Sequence, residues 1–160
     1  MRAADFERLF SEHAKPLFAF LAYRCQDRGL AEDVLADTFE RALRARTRFD
    51  RRKASEKTWL YTIALNLLRD RARRSKTEAR ALERIPHEST GAADELTAIE
   101  HRDEIQRALR TLSEEEREAI ALRFGADLTV PEIAKLLKQP LPRIEGRVYR
   151  SLRKLRDELG

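Results

Sequence analysis

Apolar residues recur along this chain at helical spacing, and no stretch alternates apolar and polar positions long enough to argue for a sheet. Over residues 4–24, Phe6, Leu9, Phe10, Leu17, Phe20 and Leu21 mark one helix face. Pro16 falls inside that span and predicts a kink or a restart. Gly29 interrupts, and a second helix is predicted over 30–46, with Leu30, Val34, Leu35, Thr38, Phe39, Ala42 and Leu43 inward. Ser55 is placed to cap a third helix, 56–75, whose apolar face is Trp59, Leu60, Ile63, Ala64, Leu67 and Leu68. Past Leu68 the sequence becomes "RDRARR", too basic to be buried.

From 76 to 94 the period is lost. "IPHESTGAAD" holds Pro, Gly, Ser and Thr and reads as a linker, with some helix allowed before Ile85. The pattern restarts near 95, where Leu96, Ile99, Ile105, Leu109 and Leu112 mark a helix. Ser113 with Glu116 forms a capping box for the next helix, which ends at Gly125. Thr129 with Glu132 forms another, opening a helix that ends near Leu137. Pro140 and Pro142 follow. The last helix is predicted over 142–159, with Pro142 tolerated in its first turn. The expected fold is all-α: two small helical domains, 1–75 and 95–160, joined by a flexible linker, 76–94. Each half has about 70 residues, so each core is small and marginal on its own.

The last two helices and the four-residue turn between them form a helix-turn-helix pattern. The final helix has an inner stripe of Ile144, Val148, Leu152, Leu155 and Leu159. At about 100° per residue, Gly146, Arg150 and Arg153 face the opposite way, with Arg143 beside them and Arg147 and Lys154 flanking. Such a face suits a major groove, where arginines bond phosphates or guanine edges.

Charge sharpens this picture. The formal net charge is +5, weak evidence by itself, but it is sorted into patches. Residues 41–57 hold eight bases and two acids, 69–80 six and two, and 143–156 six and one. Residues 32–40 carry four acids and no base, and 88–104 six acids and one arginine. That sorting suits contact with both a polyanion and a cationic partner. One cysteine, Cys25, allows no internal disulfide, and His13, His87 and His101 lack ligand spacing, so neither a metal nor another cofactor is expected. The N-terminus is amphipathic and acid-bearing, unlike a signal peptide, and "TWLYTIALNLL" is far short of a membrane span. The expectation is a soluble cytoplasmic protein without catalytic residues. No glycine-rich phosphate loop or nucleophile–base pair is present.

Three blocks then carry a resemblance. "AEDVLADTFERAL" resembles the polymerase-binding helix of the sigma-70 family, in its extracytoplasmic-function group. "WLYTIALNLLRDRARR" resembles that group's helix for the promoter −10 element. "ALRTLSEEEREAIALRFGADLTVPEIAKLL" with "IEGRVYRSLRKLR" resembles its −35-binding domain. The blocks occur in the family's order and cover nearly the whole chain outside the linker.

The resemblance implies that the acidic helix docks on the clamp coiled coil of the polymerase largest subunit, with a further contact at the flap region. Asp33, Asp37 and Phe39 match docking positions, and Glu32 and Glu40 belong to the same acidic surface. It implies −10 recognition by the third helix and the loop before it, where a base is captured out of the stack. Asn66 matches an asparagine of that helix, and Phe49 and Asp50 lie in the pocket-shaping loop. Arg69, Arg71, Arg73 and Arg74 are candidates for backbone contacts, and Tyr61 for stacking, whereas Trp59 at core spacing reads as packing. The −35 set is Arg143, Glu145, Gly146, Arg147, Arg150, Arg153 and Lys154.

An anti-sigma factor is a further implied partner. The chain departs from the family at Ala36 (usually glutamine), Leu43 (tryptophan), Glu56 (an aromatic), Lys138 (glycine) and Gly146 (commonly serine). The residues alone also leave open a stand-alone helix-turn-helix regulator, or a sigma-like interaction protein that does not read DNA.

Overall fold

The structure, a computed structural model, describes residues 1–81 and 96–160, and the side chains of all of these except 75–81 and 96–102. Among the described residues every regular element is helical. Helix α1, Ala3–Cys25, runs through Pro16 without the expected restart. Leu17, Phe20 and Leu21, all fully buried, anchor the turn after the proline. The helix stops where Gln26 turns left-handed at φ 54° and its N–H bonds Ala22 O at 2.9 Å. Asp27 then caps α2, Arg28–Ala45, by accepting from Leu30 N at 3.1 Å. Gly29 therefore lies in the first turn of α2 and interrupts nothing.

A 3₁₀ turn, Arg46–Arg48, leads into the basic loop. Ser55 Oγ accepts from Thr58 N at 3.1 Å and opens α3, Glu56–Ala81. This helix outruns the expected end at 75. Its last turns carry no apolar stripe, so good helix formers there extend what packing began upstream. The remainder of the expected linker, from 82 on, lies outside the described residues.

The second half comprises α4, Leu96–Arg110, α5, Glu114–Ile120, α6, Val130–Leu137, and α7, Leu141–Leu159. Both capping boxes form as the sequence predicts: Ser113 with Glu116 before α5, and Thr129 with Glu132 before α6. A π turn, Ala121–Gly125, extends α5. Lys138 takes the left-handed conformation, φ 55°, that ends α6, the place where glycine costs least.

The two expected helical halves pack together and share one apolar cluster. Phe20, Leu60 and Tyr61 from the first half and Leu122, Leu128, Ile133 and Ile144 from the second belong to it. The π turn and α5 pack on α1, and α6 packs on α3. At the closest approach Gly125 faces the α1 backbone, where a Cβ would lie 3.1 Å from Phe20 Cα. Gln26 Nε2 donates to Gln106 O at 3.2 Å, and Lys57 Nζ to Asp127 O at 3.4 Å. Docking removes apolar area that neither small half hides alone, which is the physical reason for the merger.

Candidate functional site

Helix α7 turns Ile144, Val148 and Ser151 inward, and Ser151 Oγ returns a hydrogen bond to Arg147 O at 2.6 Å. The apolar stripe is shorter than the periodicity implies, because Leu152 and Leu159 are exposed. Arg143, Glu145, Arg150 and Arg153 are exposed on the outer face with Gly146 among them. The Arg150 guanidinium lies over Gly146, so close that a Cβ there would sit 2.9 Å from Nη1. Two predicted members of this face are committed elsewhere. Arg147 is 9 % exposed and lies 3.6 Å from Glu115, so it is a packing residue and not a free DNA contact. Lys154 Nζ donates to Glu116 Oε1 at 2.8 Å and ties α7 to α5. Conversely, sequence reasoning passed over Tyr149, 68 % exposed. Its signal was its position three residues past Gly146, on the same side of the helix.

Helix α3 and its preceding loop carry a second basic surface. Asn66, Arg69, Arg73 and Arg74 are exposed. Arg73 pairs with Asp70 at 2.8 Å, Arg69 approaches Glu118 at 4.0 Å, and Arg71 Nη2 donates to Asp37 Oδ2. Phe49 lies against Trp59 with ring centroids 4.8 Å apart, so the loop is pinned by the aromatic that reads as packing. Asp50 is exposed and accepts from Arg52 N at 2.9 Å, which shapes the turn. Tyr61 is fully buried with its ring 5.5 Å from Phe20, so stacking on a base is closed to it in this conformation. Among the described residues its hydroxyl has no hydrogen-bond partner, and burial pushes its pKa up.

Helix α2 presents the acids. Glu32, Asp33 and Glu40 are exposed and Asp37 is half-buried. Glu32 lies 3.4 Å from Arg28, and Glu40 2.6 Å from Arg44, each one turn away on the same helix. Phe39 does not join this surface. It is 5 % exposed, edge-on to Phe10 at 4.8 Å and to Phe6 at 6.3 Å, because it lies on the apolar side of α2 that packs on α1.

Where the halves meet, Glu118 of α5 lies 3.9 Å from Arg24 and 4.0 Å from Arg69. Burial pushes its carboxyl above the usual range, against the pull of these arginines. Cys25 is likewise pushed up by burial, to about 11. Glu12, His13 and Glu56 bring ligand-type atoms within 4.8 Å of one another. Arg8 holds Glu56 at 2.8 and 3.1 Å and Glu12 at 3.2 Å, and Arg51 holds Glu56 at 3.2 Å. Those arginines supply the cation, so the cluster is better read as a salt-bridge knot than as a metal site.

Two family profiles match the chain in order: Sigma-70 region 2 over residues 9–78 and Sigma-70, region 4 over 102–155. The RNA polymerase sigma factor CarQ of Myxococcus xanthus is 32 % identical over 97 % of this chain and 89 % of its own length. The ECF RNA polymerase sigma factor SigX of Bacillus subtilis is 29 % identical over 96 % of this chain and 83 % of its own. BldN of Streptomyces coelicolor, also an ECF sigma factor, is 29 % identical over 96 % of this chain, which spans 60 % of BldN's length. Among solved structures, the sigma factor RpoE from Bartonella quintana, in complex with the anti-sigma factor NepR, superposes with a TM-score of 0.84 at 25 % identity. That match covers 97 % of this chain and 96 % of that one. CnrH in complex with the cytosolic domain of CnrY gives 0.74 at 25 % identity over 99 % and 89 %. Two sigma-70 regions in the family's order, a whole-chain relative at this identity and a whole-chain structural match place this protein in the sigma-70 family, as an RNA polymerase sigma factor of the extracytoplasmic-function type.

Proposed function

We propose that the chain binds core RNA polymerase through the acids of α2 and directs it to promoters. Helix α3 with its loop serves the −10 element, and the outer face of α7 serves the −35 element. The observation that carries this reading is the separation of faces on one chain. Asp33, Asp37, Glu32 and Glu40 gather on α2, while Arg69, Arg73 and Arg74 are exposed on α3 and Arg143, Arg150 and Arg153 on α7. Acids facing a cationic coiled coil set orientation and encounter rate more than raw affinity. On α7 the DNA-facing set is Arg143, Glu145, Gly146, Arg150 and Arg153, without Arg147 and with Lys154 held by Glu116. On α3 it is Asn66, Arg69, Arg71, Arg73 and Arg74, with Phe49 and Asp50 in the loop and without Tyr61.

The chain is a transcription initiation factor, and the chemistry of transcription belongs to the polymerase. It works where polymerase and promoter DNA are, in the cytoplasm. No described helix is long and apolar enough to cross a membrane. An anti-sigma factor is a second partner. The support is that the docked arrangement of the halves superposes, over nearly the whole chain, on a sigma factor held by one.

The deciding experiment is run-off transcription with purified core polymerase on a random promoter library. The expected result is transcripts that require the chain and share −35 and −10 sequences. Asp33→Lys with Asp37→Lys abolishes core binding and transcription while the helical circular dichroism is kept. Transcription unaffected by that double reversal would remove the assignment of α2.

A further inference from the structure

The acids of α2 do not face solvent alone. Arg71, on α3, reaches across to Asp37, and its Nη1 lies 4.0 Å from Asp33 Oδ2. The pair is 34 residues apart in sequence and bridges two helices, unlike the local pairs made by Glu32 and Glu40. It flanks an open cleft of about 230 Å³ between α2 and α3, where Glu40, Arg41, Asp70 and Arg74 also line the wall. Arg71 is a third exposed, so both its partner and its own guanidinium stay within reach of incoming charge. One arginine thus joins the surface assigned to polymerase to the surface assigned to the −10 strand.

We propose that Arg71 is an exchangeable counter-ion that couples the two surfaces. In the free chain it neutralises Asp37 and Asp33. When cationic groups of the polymerase take those carboxylates, Arg71 is released to a DNA phosphate. This rests on the proposed roles of α2 and α3 and adds the link between them. Binding free energies are reciprocal, so DNA that takes Arg71 also frees Asp37 for polymerase and each ligand tightens the other. The pair is partly solvated, so the coupling is modest, about two- to fivefold in affinity.

The test uses the full-length chain with Arg71→Gln, Arg71→Lys and Asp37→Asn. Fluorescence anisotropy reads two titrations, one with core polymerase and one with a labelled single-stranded 15-mer of random sequence without polymerase. Arg71→Gln binds core about two- to fivefold more tightly than the parent, because Asp37 no longer has to be won from an arginine. Arg71→Lys falls between the two. Asp37→Asn binds the oligonucleotide about two- to fivefold more tightly. The slope of log affinity against log salt also steepens by about 0.7, the signature of one more phosphate contact on a single strand.

A purely structural Arg71 would shift the melting temperature and leave that slope alone. Core binding by Arg71→Gln that is unchanged or weaker, or an unchanged slope for Asp37→Asn, overturns the coupling and leaves the function standing. Failure of the parent chain to bind core at all overturns both.

Discussion

The docking of the two halves turns on a position with no side chain, so the substitution Gly125→Ala tests it directly. A Cβ at 125 would lie 3.1 Å from Phe20 Cα, 3.3 Å from Phe20 N and 3.4 Å from Tyr23 Cδ2. Two of those three atoms are helix backbone, held by the burial of Leu17, Phe20 and Leu21. Overpacking against an unyielding neighbour costs about 1–3 kcal/mol. Gly125 has no positive φ and lies in a helical turn, so alanine's better helix propensity helps docked and open states alike and cancels. What remains is the steric cost, about 1–3 kcal/mol against docking, a shift of about fivefold to about 150-fold in the docked-to-open ratio.

Single-molecule energy transfer reads that ratio, with dyes on Lys15→Cys and Asp157→Cys in a Cys25→Ser background. Both labelled positions are exposed. The high-efficiency population of the parent should give way to a broad, lower one. Gly29→Ala is the control, since its nearest neighbour would be Asp27 Oδ1 at an ordinary 3.5 Å, and it should change nothing. An identical efficiency distribution for Gly125→Ala, in a chain that still melts cooperatively, would mean that the π turn does not rest on α1 in solution.

Glu118 should make docking sensitive to pH. Its carboxyl is held above the usual range when docked, so docking strengthens as pH falls toward the free carboxylate value and weakens as pH rises through the docked value. The same energy-transfer pair, read from pH 7.5 to 5, should show this trend in the parent and a flat response in Glu118→Gln. Removing the unpartnered hydroxyl with Tyr61→Phe should stabilise the fold by about 1 kcal/mol, raising the thermal midpoint by about 2–4 °C, measurable by calorimetry. Gly146→Ser should displace the Arg150 guanidinium from its seat and shift −35 preference in a selection from random sites. The shift should vanish in an Arg150→Ala background if it acts through that arginine.

What was legible in the sequence was what is local. The capping pairs Ser113–Glu116 and Thr129–Glu132 span three residues each, and the helix starts they signal are where the structure has them. The turn at Lys138 and the outer arginines of α7 follow from short-range spacing as well. What failed was set by neighbours distant in the chain. Tyr61 is buried against Phe20, Arg147 is held beside Glu115 of α5, and Phe39, inward by periodicity, packs on Phe6 and Phe10 where the resemblance implied docking. Periodicity reports which side of a helix is apolar, and it placed Arg147 on the flank. It does not report how far the neighbouring helix wraps round that flank. Periodicity places the end of α3 short, with helix only allowed beyond 75, because the sequence from 75 to 81 has no apolar stripe to read.

Glu116 has a consequence for anyone exchanging parts between such proteins. One carboxylate oxygen, Oε1, accepts from Ser113 N at 3.0 Å and from Lys154 Nζ at 2.8 Å. Burial alone would raise its pKa, but the Lys154 and Ser113 hydrogen bonds outweigh this and hold it below the usual range. The start of α5 and the seat of α7 are therefore a single joint. A graft of α7 alone into another scaffold keeps the inward stripe of Ile144 and Val148 but leaves Lys154 without its anchor. Carrying the Ser113–Glu116 turn with α7 keeps that joint, two pieces remote in sequence that meet at one carboxylate oxygen.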